Sequence, residues 1–192
     1  MKITISGTLG SGKSTVAKML AEKLKYEYYS TGQIMRDMAI KKNISLNDIS
    51  KIAGKDFSID KEIDDYQVSI GKEKNNFVLE GRLGFHFVPD SIKIFLKCDE
   101  QVAVQRVLKG LKEKDPLRLN EGLKENEESI LKNFKERRDS ENERYKTLYG
   151  ITQDDKSNFD LIIDTTSIPP DEVCSKIIEF VKRKQTKKGR KR

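Results

Sequence analysis

The sequence predicts an α/β protein with a parallel sheet and helices on both faces. Short strand-like runs alternate with longer amphipathic runs along the 192 residues. Two of the strand-like runs, residues 76–80 and 92–97, are apolar enough to be buried on both faces, as strands of a parallel sheet are. A glycine-rich stretch between the first strand and the first helix is the third indication. In such a sheet, ligands bind at the carboxyl ends of the strands.

The individual elements follow from periodicity. The predicted strands span residues 2–6, 26–30, 76–80, 92–97 and 159–164. The predicted helices span residues 14–24, 32–42, 45–53, 59–73, 99–111, 121–149 and 169–183. Ser45 and Asp99 are the expected N-caps of two of these helices. Residues 110–120 have no clear period and contain Pro116, which indicates an irregular connection.

Composition excludes several classes of protein. The chain is 35% hydrophobic and 36% charged, and no apolar run approaches the roughly 18 residues of a membrane span. The first residues lead directly into a strand, without the pattern of a signal peptide. Cys98 and Cys174 stand far apart in apolar surroundings and are expected to be reduced core residues. We therefore expect a cytoplasmic monomer that contacts no membrane.

The net charge of +7 comes from the C-terminal end of the chain. Residues 182–192 contain eight basic and no acidic side chains, so the rest of the chain has a net charge near −1. The body is therefore no basic surface for an obligatory nucleic-acid partner. We expect one domain, residues 1–182, followed by a basic, disordered tail, residues 183–192. Contact of this tail with RNA, DNA or anionic lipid stays open.

The stretch GTLGSGKST matches the phosphate-binding pattern G-x-x-x-x-G-K-S in full. Its glycines let successive backbone N–H groups point at phosphate oxygens, and the following helix adds partial positive charge. Lys13 can reach the β- and γ-phosphates of ATP, and the Ser14 hydroxyl can coordinate Mg²⁺. The predicted ATP-binding residues are Gly7, Thr8, Leu9, Gly10, Ser11, Gly12, Lys13, Ser14 and Thr15.

Two further motifs follow strands and are expected at the same edge of the sheet. Thr31 lies where the second strand turns into a helix, and Arg36 lies about one turn later. The alternative is an ordinary helix cap with a solvent-exposed arginine. Glu80 and Arg82 follow the third strand, where an acid can hold Mg²⁺ through water and an arginine can bind phosphate. The alternative for this pair is an ion pair within a loop.

Three more arginines flank the irregular connection. Arg106 lies late in the helix 99–111, and Arg137 and Arg144 lie about two turns apart on one face of the next helix. A charged, solvated helix is the usual interpretation of such a segment. The irregular residues in between nevertheless indicate a hinged flap, whose arginines would stabilise a transferring phosphoryl group and exclude water.

Together these motifs resemble those of cytidylate kinases, particularly the compact archaeal-type form. GTLGSGKST, STGQIMR, LEGRL, RYKTLYGI and FDLIIDTT occur in the order and spacing of that family, over residues 1–182. The resemblance implies a five-stranded nucleoside monophosphate kinase fold, with an acceptor-binding segment at about 31–76 and a lid at about 107–136. It also implies Mg²⁺-dependent transfer of the γ-phosphate of ATP to CMP or dCMP.

The resemblance assigns roles to individual residues. The residues that would bind the acceptor or bridge the phosphates are Thr31, Arg36, Arg82, Arg137 and Arg144. The predicted catalytic residues are Lys13, Arg106, Arg137 and Arg144, with Arg106 in the lid. Ser14 and, through water, Glu80 would bind the metal. The segment between Arg36 and Phe77 is shorter than in bacterial members, and its candidates for reading the base are Asp60, Asp64 and Gln67.

Other functions stay open at this point. An adenylate kinase would normally carry Asp-Gly-Phe-Pro-Arg where this chain has LEGRLGF. Kinases of small metabolites such as shikimate share the fold outline but give no reason for STGQIMR or for so many lid arginines. A rival of another class is a nucleotide-binding, RNA-associated factor that uses the basic tail. His86 is expected to be structural, since an acceptor that is already an anionic phosphate requires no general base.

Overall fold

A computed structural model describes residues 1–119, 121 and 123–189. These residues form five strands, nine α-helices and one short 3₁₀ helix, Lys156–Asn158. The strands are β1 (Lys2–Gly7), β2 (Glu27–Ser30), β3 (Phe77–Glu80), β4 (Ile92–Lys97) and β5 (Leu161–Asp164). The helices are α1 (Lys13–Leu24), α2 (Thr31–Lys41), α3 (Leu46–Ala53), α4 (Ser58–Glu73), α5 (Gly84–Phe87), α6 (Glu100–Lys112), α7 (Pro116–Leu119), α8 (Glu127–Tyr149) and α9 (Pro170–Gly189).

The five strands are parallel and have the order β2-β3-β1-β4-β5, which confirms the predicted sheet. Ile3 and Ile5 of β1 pack in one core with α1 and α9. Thr4, which points to the opposite face, lies against Gly84 of α5. The chain thus leaves the adjacent strands β1 and β3 toward opposite faces, and their carboxyl ends open a crevice of the kind in which open α/β sheets bind ligands.

The main core lies between the sheet and the helices α1 and α9. The helix spacing predicted for residues 14–24 is confirmed, because α1 buries Val16 and Leu20 in this core, and Met19 and Leu24 pack at its margin. The other face of the sheet is covered by aromatic side chains from α5, α8 and the segment before β5. Apolar burial on both faces holds the central strands and fixes the edge at which their carboxyl ends meet.

The predicted N-caps of two helices are confirmed. The Ser45 hydroxyl accepts a hydrogen bond from the Asp48 N–H over 3.1 Å, and the Asp99 carboxylate accepts from two N–H groups at the start of α6. α8 begins at Glu127 rather than at residue 121, because Asn126 is its N-cap and accepts from the Ser129 N–H over 2.8 Å.

The C-terminal end of the described chain differs from the expectation. α9 continues to Gly189, so residues 183–189 are helical rather than disordered. Lys184 contributes a contact to the body of the protein, with its Nζ 2.5 Å from Asp160 Oδ1. Residues 190–192 of the predicted tail lie outside the described residues. Within the described part of the chain, every helix is too short or too polar to span a membrane.

Candidate active site

Residues 7–15 form the expected loop between β1 and α1. Gly10 and Gly12 have left-handed φ angles of 69° and 81°, which glycine adopts without steric cost. A Cβ on Gly10 would lie 2.6 Å from the Cβ of Ala103, so the loop also needs glycine for close approach to α6. Because α1 begins at Lys13, its N-terminal N–H groups adjoin the loop and can bind an anion.

Lys13 is folded back onto this loop. Its Nζ donates a hydrogen bond to the carbonyl oxygen of Thr8 over 2.7 Å. Burial, together with the charge of Arg82, lowers the pKa of Lys13 to about 7, although Glu80 and Glu141 oppose the shift. Added negative charge, such as that of a polyphosphate, would favour the ammonium form.

Glu80, at the end of β3, is surrounded by hydroxyl groups. The Ser14 hydroxyl donates to its Oε1 over 3.0 Å. The hydroxyls of Tyr28 and Ser30 donate to its Oε2 over 3.0 and 2.8 Å. These donors fix the orientation of a buried carboxylate beside the loop. Oxygen ligands of this kind are the ones Mg²⁺ prefers.

Arg82 connects the end of β3 to the phosphate-binding loop and to α8. Its Nη1 donates to the Gly7 carbonyl oxygen over 2.6 Å, and its Nε lies 2.9 Å from Glu141 Oε2. Arg137 Nη2 lies 3.7 Å from the other oxygen of the same carboxylate. Burial opposes ionisation of Glu141, but Arg82, Arg137 and Arg144 outweigh it and hold the pKa of Glu141 below its usual range.

Thr31 and Arg36 enter the site from α2. The Ser30 hydroxyl caps this helix by accepting from the Gln33 N–H over 3.2 Å, so Thr31 is its first residue. Thr31 is buried against Gly81. Among the described residues, none accepts a hydrogen bond from the buried Nε of Arg36.

α4 contributes a polar wall. Asp60 Oδ2 lies 3.1 Å from Arg144 Nε, and burial raises the pKa of Asp60 against the pull of Arg144. One turn along, Asp64 accepts a hydrogen bond from the Tyr149 hydroxyl, and burial raises the pKa of Asp64 to about 6. Gln67 follows on the same face and is 2% exposed.

One cleft brings most of the predicted site residues together, with the phosphate-binding loop at one side and α4 at the other. The predicted residues that line it are Leu9, Gly10, Gly12, Lys13, Ser14, Thr15, Thr31, Arg36, Asp60, Asp64, Gln67, Glu80, Arg82, Arg137 and Arg144. The sequence motifs that follow different strands and helices therefore meet at one place, as the sheet topology requires.

Arg106 does not join this group. Its guanidinium donates to the carbonyl oxygens of Thr165 and Thr166 over 2.6 and 3.2 Å. α6 packs its apolar face, including Val104 and Val107, against apolar side chains of α8. This packing leaves Arg106 beside the segment that follows β5. In this structure Arg106 supports that segment and does not line the cleft. Its expected place among the catalytic lid residues is therefore not supported by its contacts.

Three loop residues also lie outside the cleft. Gly7 and Thr8 line a neighbouring recess together with Phe95 and Phe134. Ser11 is buried, and its hydroxyl donates to the Thr8 carbonyl over 2.8 Å. These three residues therefore belong to the loop without lining the cleft.

Sequence reasoning missed Arg118, which reaches the cleft from α7. Its Nη1 lies 2.7 Å from Oε1 of Glu121, a buried carboxylate that lines the same cleft. Arg118 lies within the segment expected to be a lid. Its position beside Pro116, in a stretch without helical period, gave no indication of which way its side chain points.

The comparison with known proteins agrees with this geometry. A profile of the cytidylate kinase-like family matches residues 2–167. The chain belongs to this family. A cytidylate kinase from Sulfurisphaera tokodaii is 37% identical over 181 residues, with 93% of each chain covered. A cytidylate kinase from Archaeoglobus fulgidus is 33% identical over the full length of both chains.

Solved structures share the fold of this cytidylate kinase-like chain. An uncharacterized protein from Eubacterium ventriosum superposes with a TM-score of 0.68 at 21% identity, covering 95% of this chain and 98% of the other. Shikimate kinase from Aquifex aeolicus superposes with a TM-score of 0.57 at 20% identity, covering 97% and 99%. The resemblance to cytidylate kinases and the predicted fold are thus confirmed.

Proposed function

We propose that the protein transfers the γ-phosphoryl group of ATP to CMP or dCMP, giving ADP and CDP or dCDP. The observation behind the proposal is that Arg36, Arg82 and Arg137 line the same cleft as Lys13. Binding ATP requires one anion site, whereas transfer between two phosphates requires cations on both sides of the moving group. Relatives of the family that are named cytidylate kinases support a cytidine nucleotide as the acceptor.

On the donor side, residues 7–15 would bind the β- and γ-phosphates of ATP. Lys13 would exchange the Thr8 carbonyl for a phosphate oxygen. The hydroxyl of Ser14 and the carboxylate of Glu80 are adjacent oxygen donors and suit Mg²⁺, with Ser14 binding directly and Glu80 through water. The metal ion, when bound, neutralises charge on the phosphates.

On the acceptor side, arginine donors are available for the second phosphate. Within the described ranges, the buried Nε atoms of Arg36 and Arg137 have no hydrogen-bond partner. Arg82 is bonded to the loop through the Gly7 carbonyl oxygen, and it shares the Glu141 carboxylate with Arg137. Guanidinium groups in this position would hold the acceptor phosphate in line and stabilise the charge of the transferring group.

The test is a coupled assay of ADP release with CMP, dCMP, UMP, AMP and GMP as acceptors. We expect turnover with CMP, dCMP or both to exceed that with AMP and GMP, and to require Mg²⁺. Lys13→Ala should lose most of this turnover. Lys18→Ala, which alters an exposed site on α1, serves as its matched control. Turnover with AMP and none with CMP or dCMP would refute the proposal.

A further inference from the structure

Two hydroxyl groups from β2 bind one oxygen of Glu80. The register of the sheet places Ser30 opposite Glu80 and Tyr28 opposite Val78. Side chains two residues apart on a strand share a face, so Tyr28 lies on the same face as Ser30 and reaches Glu80 diagonally. Both hydroxyls donate to Oε2, over 3.0 Å from Tyr28 and 2.8 Å from Ser30. The other oxygen, Oε1, lies on the side of the phosphate-binding loop, where it accepts from the Ser14 hydroxyl over 3.0 Å.

The two oxygens of this carboxylate differ in their remaining capacity for hydrogen bonds. A carboxylate oxygen has about two lone-pair sites, and the hydroxyls of Tyr28 and Ser30 occupy those of Oε2. On Oε1, the Ser14 hydroxyl occupies one site, which becomes free if Ser14 binds a metal ion instead. Oε1 is thus the oxygen that can accept from a metal-bound water, provided that the donors on β2 keep Glu80 from rotating.

Of the two donors on β2, Tyr28 has the simpler set of contacts. The Ser30 hydroxyl also caps α2 by accepting from the Gln33 N–H over 3.2 Å, so substitution of Ser30 would disturb that helix as well. The Tyr28 ring packs at the margin of the core that α1 and α9 form with the sheet. This packing fixes the point from which the Tyr28 hydroxyl donates, and removal of the hydroxyl leaves the ring in place.

We infer that Tyr28 is a positioning residue for the metal ion of the reaction, and that it holds Glu80 Oε2 so that Oε1 stays directed toward the phosphate-binding loop. The inference rests on the proposed function, in which Ser14 and, through water, Glu80 bind Mg²⁺. Hydrogen bonds that orient metal-binding side chains contribute strongly to metal affinity in proteins. Loss of the Tyr28 hydroxyl should therefore weaken the contribution of Mg²⁺ to nucleotide binding and leave nucleotide binding without the metal unaffected.

The test compares nucleotide binding with and without the metal ion. Calorimetry gives the Kd of β,γ-methylene-ATP, which cannot transfer its γ-phosphoryl group, in EDTA and in excess Mg²⁺. The ratio of the Kd in EDTA to the Kd in Mg²⁺ measures the coupling between the protein and the metal. For Tyr28→Phe we expect this ratio to fall by about fivefold or more, while the Kd in EDTA stays that of wild-type protein.

Tyr29→Phe is the matched control on the same strand. Tyr29 packs on the opposite face of the sheet, and its hydroxyl donates to the exposed carboxylate of Glu27. Its loss should leave the ratio unchanged. A double-mutant cycle tests the route through Glu80. Glu80→Gln should itself lower the ratio, and Tyr28→Phe added to it should cause little further change, since no carboxylate is then left to position.

A merely structural role of Tyr28 would give a different pattern. Loosened packing beside α1 would raise the Kd in EDTA and the Kd in Mg²⁺ by the same factor, so their ratio would not change. An unchanged ratio in Tyr28→Phe, or an equal fall in Tyr29→Phe, overturns the inference. If Tyr28→Phe does not fold, Tyr28→Met takes its place in the same comparison, because a flexible methionine fills irregular space in a core.

The outcomes separate this inference from the proposed function. Wild-type protein that turns over neither CMP nor dCMP contradicts the kinase proposal, while the ratio of Kd values still tests Tyr28. Turnover of CMP together with an unchanged ratio in Tyr28→Phe retains the kinase and removes Tyr28 from the metal site. Wild-type protein that binds β,γ-methylene-ATP equally well with and without Mg²⁺ also overturns the inference, since Tyr28 then has no metal contribution to support.

Discussion

Substitution of Gly81 by alanine should damage the acceptor site through one definable contact. A Cβ on Gly81 would lie 2.6 Å from Thr31 Oγ1 and 3.0 Å from Thr31 Cγ2. The backbone cannot retreat freely, because the Gly81 N–H donates to the Ile5 carbonyl oxygen over 3.1 Å. Gly81 has no left-handed φ, so the cost comes from the clash and not from backbone strain. Thr31 begins α2, which also carries Arg36.

Overpacking of this kind costs about 1–3 kcal/mol in the free energy of unfolding. For a chain of this size, the melting temperature should fall by about 3–10 °C. Displacement of the first turn of α2 should also raise the KM for CMP more than the KM for ATP. Urea unfolding and the coupled kinase assay measure the two effects. Gly84→Ala is the matched control, because a Cβ there has its nearest neighbour at 3.4 Å, an ordinary contact.

A double-mutant cycle with Thr31→Ala tests the cause. Thr31→Ala removes the two atoms at 2.6 and 3.0 Å and leaves only the Thr31 Cβ, at 3.4 Å from the new methyl group. The loss of stability in Gly81→Ala/Thr31→Ala should therefore be smaller than the sum of the single losses by about 1 kcal/mol or more. Additivity within about 0.5 kcal/mol would refute the steric explanation.

Three further substitutions address charged residues of the cleft. Lys13→Ala should lower kcat by about 100-fold or more with an unchanged circular dichroism spectrum. Retained activity would mean that the phosphate-binding loop takes no part in the reaction. Arg82→Ala should raise the KM for the acceptor far more than that for ATP, and equal effects would mean that Arg82 is misassigned. Burial raises the pKa of Asp64 to about 6, so the native protein holds a proton that the unfolded chain loses near pH 4, and stability falls as pH rises through 6. Asp64→Asn should abolish this dependence, measured by urea unfolding at pH 5 and pH 7. If the free energy of unfolding of the variant differs from that of wild type by the same amount at both pH values, the prediction is contradicted.

The sheet and the residues at its carboxyl edge could be predicted because each motif directly follows a strand. Lys13, Thr31, Glu80 and Arg82 lie within a few residues of a strand end, and parallel strands bring such ends to one edge whatever the loops do. Arg137 and Arg144 followed from helical period alone, since residues seven apart share a face. Local pattern and topology are sufficient for these positions.

The places where prediction failed have no such constraint. The position of Arg106 depends on how α6 is rotated about its axis, and the packing of Val104 and Val107 decides that rotation. Arg118 lies in a segment without period, so its direction comes from tertiary contacts only. The tail was expected to be disordered from its charge, but lysine and arginine are good helix formers, and α9 is already anchored by its buried first half. Extension of an existing helix avoids the cost of nucleation.

The lowered pKa of Lys13 predicts that this site takes up a proton when its ligand binds. Burial and the charge of Arg82 hold that pKa at about 7, so at pH 8 much of the free protein carries neutral Lys13. The polyphosphate of ATP adds negative charge beside the amine and should restore the ammonium form. Binding at pH 8 should therefore take up a fraction of a proton, which calorimetry detects in two buffers of different ionisation enthalpy. Lys13→Met should abolish the uptake, because it removes the titrating group while keeping a long side chain. The absence of uptake in wild-type protein would mean that Lys13 is already charged before ATP binds. Uptake that persists in the variant would mean that a group other than Lys13 takes up the proton.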